Sequence, residues 1–94
     1  MVFDLSKING IEGYDIKKEK TRTLYQKDQK TFLVLNKNTL EVRCDAKLAK
    51  LLQEKYESVM ESRYFGKGGI EIVPTTQLPI DDLNDLVRLS YDLT

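Results

Sequence analysis

Residues able to do chemistry are few in this chain of 94, and the densest group is Gly66-Lys67-Gly68-Gly69. A glycine run with a lysine can cradle a phosphate, its backbone N–H groups making the contacts and the ammonium supplying countercharge. Here the Gly-Lys-Ser or Gly-Lys-Thr ending is missing and the pattern that follows predicts a strand, where a P-loop needs a helix, so nucleotide binding is not expected. Asp81, Asp82 and Asp85 resemble a metal site, but with no second carboxylate group nearby they are better explained as a helical first turn matched to the helix dipole. Cys44 is the sole cysteine, which excludes an intramolecular disulfide and a cysteine-cluster metal site. There is no histidine, which removes Ser-His and Cys-His nucleophilic chemistry and the usual near-neutral base. No catalytic residue, metal or cofactor is therefore expected.

A chain of this length folds as one domain, taken as residues 1–94, with a small core between two layers. Fifteen basic and fifteen acidic residues cancel, so nucleic-acid binding requires segregated patches. Such segregation exists. Tyr14 to Arg43 holds eight Lys or Arg against four acids, whereas Asp81, Asp82, Asp85 and Asp92 near the end face one Arg88. A Lys-rich solvated strand and an Asp-rich helix start explain the same pattern without a partner. The single cysteine favours a reducing compartment, no apolar run is long enough to span a bilayer, and no signal-peptide pattern opens the chain; the expectation is cytoplasmic, with no membrane contact.

The elements that must position these residues follow from periodicity. Met1 to Gly13 reads as a brief helix or irregular lead-in containing Val2, Phe3, Leu5 and Ile8. Tyr14 to Gln26 suits one exposed, lysine-guarded strand, followed by Thr31–Leu35 and then Thr39–Cys44, whose alternation turns Leu40, Val42 and Cys44 to one face. Asp45 caps a helix with Leu48, Leu51, Leu52 and Tyr56 as its apolar stripe. Two strands, Ser58–Phe65 and Gly69–Pro74, flank a glycine turn. Pro79 starts a last helix whose buried stripe is Ile80, Leu83, Leu86, Val87 and Tyr91. This gives five strands and two main helices.

The Leu40–Val42 strand, the Asp-led helix from Asp45 to Tyr56, the Tyr-x-x-Lys turn from Tyr64 to Lys67, the Leu-Pro-x-Asp-Asp-Leu start at Leu78 and the Ser90-Tyr91 ending together resemble the MmcQ/YjbR family of small bacterial proteins. The likeness runs roughly from Thr31 to Thr94. It implies an α+β, two-layer fold with an antiparallel five-stranded sheet and helices on one face, CyaY-like in outline, also resembling secretion-chaperone domains and carrying a "double wing" likeness to DNA-binding domains. The N-terminal domain of TfoX-type competence regulators has a similar ending. Family members commonly place His-Trp where this chain has Gly69-Ile70, and they begin with a longer helix than Met1 to Gly13 supplies.

Two functions are weighed. In the first, the chain binds double-stranded DNA through hairpin wings, with Lys17, Lys18, Lys20, Arg22, Lys27 and Lys30 supplying phosphate contacts and Lys67, beside Arg63, reaching the backbone or a groove. In the second it is a non-catalytic adaptor, binding a protein partner or a second copy through strand edges and the acidic last helix, with Tyr14, Tyr25 and Tyr64 as anchors.

Overall fold

The computed structural model describes residue 5 and residues 8–74 and 78–94; Val2 and Phe3 of the expected lead-in lie outside them. In chain order the elements are β1 (Asp15–Lys18), β2 (Arg22–Lys27), β3 (Lys30–Asn36), β4 (Leu40–Arg43), α1 (Ala46–Lys55), β5 (Val59–Ser62), β6 (Gly66–Ile72) and α2 (Ile80–Leu93). The strands form one antiparallel sheet in the order β1-β2-β3-β4-β6-β5. The α+β class is as expected, but the sheet has six strands rather than five.

The additional strand comes from Tyr14 to Gln26, which is two strands and not one. The chain reverses at Glu19–Thr21, where the Glu19 N–H donates to the Arg22 carbonyl at 2.8 Å and Arg22 Nε donates to Glu19 Oε1 at 2.6 Å. Nothing in Glu-Lys-Thr carries the Gly, Pro, Asn or Asp signal of a turn. The next reversal is more orthodox: Asp28 and Gln29 both take positive φ, 51° and 69°, between the paired residues Lys27 and Lys30, as a two-residue hairpin with right-handed strand twist requires.

Register decides which face is apolar. Leu40 and Val42 of β4 stand opposite Ile72 and Ile70 of β6 on one side and Leu35 and Leu33 of β3 on the other, forming a continuous apolar surface beneath the helices. A bulge between Tyr25 and Gln26 leaves Phe32 without a counterpart on β2, so Phe32 and Leu33, adjacent in sequence, both enter the core. Each such fully buried side chain contributes roughly 1.5–3 kcal/mol. Cys44 is buried, as the alternation predicts.

Both helices pack through most of their expected stripes, Leu48, Leu52 and Tyr56 of α1 and Leu83, Leu86, Val87 and Tyr91 of α2 lying in or against the core, and each departs at one residue. The Asp45 carboxylate caps α1 by accepting from the N–H groups of Lys47 and Leu48 at 3.1 and 3.4 Å, but the residue pressed on the sheet is Ala49, while Leu51 is 62% exposed. A small side chain at the contact lets the helix axis approach the strands, which rolls Leu51 outward. In α2 the buried residues are Leu83, Val87 and Ser90, and Ile80, at the helix start, lies open to solvent.

Ser90 joins the helical layer to the sheet. Its Oγ donates to the Phe32 carbonyl at 2.6 Å and accepts from the Arg43 N–H at 2.7 Å, while Arg43 Nε donates to the Thr31 carbonyl at 2.7 Å. These are the backbone groups left where β3 and β4 part beyond the Leu33–Val42 pair. A hydroxyl, able to donate and accept at once, is the smallest side chain that satisfies both. Tyr91 packs edge-on against Phe32 at 5.1 Å between centroids, and its hydroxyl donates to the Glu12 carbonyl at 2.7 Å.

The β5–β6 turn is Arg63-Tyr64-Phe65 closed by Gly66 at φ 64°, and it is the one place in the 66–69 run where positive φ is used. Gly68 and Gly69 lie within β6. At Gly69 the requirement is space, because a Cβ would stand 2.6 Å from both the Val42 carbonyl oxygen and Phe65 Cβ. Among the described residues, no helix is long and apolar enough to cross a membrane.

Candidate nucleic-acid interface and the open face of the sheet

The eight cations expected at a DNA interface are distributed around the sheet. Antiparallel order puts the β1–β2 turn at one end and the β2–β3 and β5–β6 turns at the other. Lys17, Lys18, Lys20 and Arg22 therefore gather on the first hairpin, with Lys30 and Lys67 at the opposite end. β1 is exposed along its whole length and is the edge strand of the sheet, pairing with β2, which is itself paired along its length with β3. The strand pairs of the hairpin turn Lys17 to the face carrying Leu24, and Lys18 with Thr23 to the helical side.

Three of the eight are engaged within the chain. Arg22 pairs with Glu19, which holds the Glu19 carboxyl below its ordinary value chiefly through that hydrogen bond, and its guanidinium lies 5.1 Å from the Tyr64 ring centroid. Lys27 reaches across to α2, 3.3 Å from the Tyr91 carbonyl and 4.3 Å from its ring centroid. Arg63 grips Glu71 with Nε and Nη2 at 2.9 and 2.7 Å. Lys67 instead lies on the α1 side, beside Ala46, Lys50 and Glu61, so the expected Arg63–Lys67 pair is split between the two faces of β6. Of the eight, Lys17, Lys18, Lys20, Lys30 and Lys67 make no ion pair among the described residues.

Tyr64 is the most open of the three proposed tyrosine anchors; Tyr14 and Tyr25 are half-buried and meet edge-on at 5.7 Å. Burial raises the Tyr25 phenol above its ordinary value, with the Tyr14 phenol a smaller cause. Burial likewise pushes the Cys44 thiol up, with Asp45 adding to the effect, which leaves little thiolate for reaction.

The face of the sheet away from the helices holds a polar layer that sequence reading did not find. Glu41 of β4 and Glu71 of β6 are directly opposed and both buried, and the 62–65 turn folds over them. Glu41 Oε1 accepts from Ser62 Oγ at 2.7 Å and the Tyr64 N–H at 2.9 Å, and Oε2 accepts from Asn36 Nδ2 at 2.9 Å. Glu71 accepts from Arg63 and from Thr39 Oγ1 at 2.7 Å. The Arg63 hydrogen bonds are the main reason the Glu71 carboxyl sits below its ordinary value, against the opposing effect of burial. The Tyr64 hydroxyl shares a 3.0 Å hydrogen bond with Thr31 Oγ1, which also accepts from Gln26 at 3.1 Å. Each carboxylate is satisfied from within, so the arrangement works as a tie between turn and sheet. The available signal was the alternation itself, which puts Glu41 between Leu40 and Val42 and Glu71 between Ile70 and Ile72.

Comparison with protein-family models, with curated proteins and with solved structures finds no match to this chain.

Proposed function

We propose that the chain is a small DNA-associated protein that holds the duplex backbone with its β1–β2 hairpin. The observation that carries this reading is an exposed edge strand whose length and following turn bear Lys17, Lys18 and Lys20, with Glu19, one of the hairpin's two acids, already paired to Arg22. Lysines along such an edge strand and its turn meet phosphates without reading bases. The wing likeness of the MmcQ/YjbR family supports the same reading. Engagement is by one hairpin, with Lys30 and Lys67 at the far end of the sheet contributing little. The test is an anisotropy titration with short duplex DNA over a range of salt. If three lysines meet phosphates, log affinity falls against log salt with a slope near −3. The Lys17→Ala, Lys18→Ala, Lys20→Ala variant loses binding, while Lys67→Ala retains it. Binding indifferent to salt, or equal in the triple variant, would refute the reading.

A second reading, strand addition to the open edge of β1, is favoured by Ile16, 53% exposed in the middle of that edge. It predicts a protein or peptide complex that survives the triple lysine change and is lost on Ile16→Pro.

A further inference from the structure

The outer side of the helical layer carries a groove of about 290 Å³ between α1 and α2. Lys55 and Tyr56 line it from α1, and Asp82, Asp85, Leu86 and Leu89 from α2. Beyond it, Leu93, 54% exposed, lies one turn past Leu89, and Leu51, 62% exposed, stands on the outer side of α1 among Lys47, Lys50 and Glu54. Asp82, Leu86, Leu89 and Leu93 recur at i, i+4, i+7 and i+11, the spacing of a seam that another helix packs against. The contacts of α2 with the core are made by Leu83, Val87 and Ser90, with Leu86 and Tyr91 packed at its edge, so Leu89 and Leu93 are not needed to hold the helix down.

Charge indicates what covers the stripe. The α1 wall is basic at Lys55 and the α2 wall acidic at Asp82 and Asp85, yet no ion pair joins them across the groove among the described residues. A face of one sign repels its own copy, whereas opposite signs displaced to two sides of an axis become complementary when the face is turned onto itself by a two-fold rotation. We propose that this face is the interface of a symmetric homodimer. Leu51, Leu89 and Leu93 of each copy pack into the groove region of the other, and Lys55 of one copy meets Asp82 and Asp85 of its mate. The β1–β2 hairpin lies on the sheet edge, outside this face, so the dimer does not depend on DNA binding.

Sedimentation equilibrium of the full chain, from low micromolar to submillimolar concentration, tests the proposal. The expected result is a reversible monomer–dimer equilibrium. Leu51→Glu and Leu89→Glu, both at solvent-open positions, should return the chain to monomer with unchanged circular dichroism and melting in dilute solution. Lys55→Glu should weaken association by roughly tenfold, as two symmetric charge contacts are reversed at once, and adding Asp82→Lys and Asp85→Lys should restore most of it. A strict monomer across the range would overturn the dimer and leave the groove to a different chain. A dimer untouched by either leucine change would place the interface elsewhere, and one that ignores the charge reversal would overturn the pairing of Lys55 with the aspartates.

Discussion

Glu41 and Glu71 stand directly opposite one another across the β4–β6 ladder, at 2% and 3% exposure, and each accepts three hydrogen bonds from its own set of donors. Like charges at opposed positions destabilise a sheet unless each is separately compensated. Here the compensation comes from two connections, Ser62, Arg63 and Tyr64 at the β5–β6 turn and Asn36 and Thr39 between β3 and β4.

Arg63→Ala removes the cation from Glu71 and leaves a buried carboxylate with the Thr39 hydroxyl and the backbone of residue 63. A loss on the order of 1–3 kcal/mol is expected at neutral pH. Because the folded Glu71 carboxyl titrates below its ordinary value of 4.5, its stabilising contribution is complete above that value and disappears as pH falls through the lower, folded one. The gap between native chain and variant should therefore narrow on acidification. Urea unfolding at neutral and acid pH measures it, and a gap constant with pH would refute the assignment.

Ser90→Ala leaves the Phe32 carbonyl and the Arg43 N–H without their shared hydroxyl. The expected cost is about 1–3 kcal/mol, seen as a fall in Tm of several degrees. Ser90→Thr keeps the hydroxyl but adds a methyl where the side chain is fully buried, so it should recover only part of the loss.

Gly69→Ala and Gly68→Ala separate space from sequence pattern. The first forces a Cβ to within 2.6 Å of backbone oxygen and should cost at least about 1–3 kcal/mol. At Gly68 the nearest atom is the Phe65 carbonyl oxygen at 3.7 Å, an ordinary contact. That variant should unfold within about 0.5 kcal/mol of the native chain.

Gln29→Gly relieves a left-handed residue in the β2–β3 turn, where φ is 69°. A stabilisation of up to about 1 kcal/mol is expected, read as a rise in thermal midpoint. An unchanged or lowered midpoint would show that the loss of entropy on fixing a glycine offsets the relief.

Strands with clean alternation were legible before the structure. Leu40, Val42 and Cys44 lie on the face that periodicity assigned them, and Asp45 caps the helix it was expected to cap. What was not legible depends on contacts distant in sequence. The Glu19–Thr21 turn is held by an Arg22–Glu19 pair in place of turn-forming residue types, so it looked like continuous strand. Leu51 satisfied helical spacing, but Ala49 sets the distance between α1 and the sheet. Three glycines close together suggested a loop, although one of them serves packing against Val42 and Phe65 inside a strand. The cations clustered along the sequence because β1 and β2 are adjacent in it. Arg63 and Lys67, four residues apart, were divided by a turn and a change of face.

The Ser90 bridge also bears on the order in which the protein folds. Phe32 and Ser90 are 58 positions apart, so the loop between them closes slowly compared with the local hairpins of β1–β4. Until that closure, the Phe32 carbonyl and Arg43 N–H must keep their hydration, and the margin between β3 and β4 stays wet. The early hairpins thus assemble a sheet whose β3–β4 margin is dried late, by the arrival of a helix. Contact order, more than the strength of any one hydrogen bond, sets when that happens.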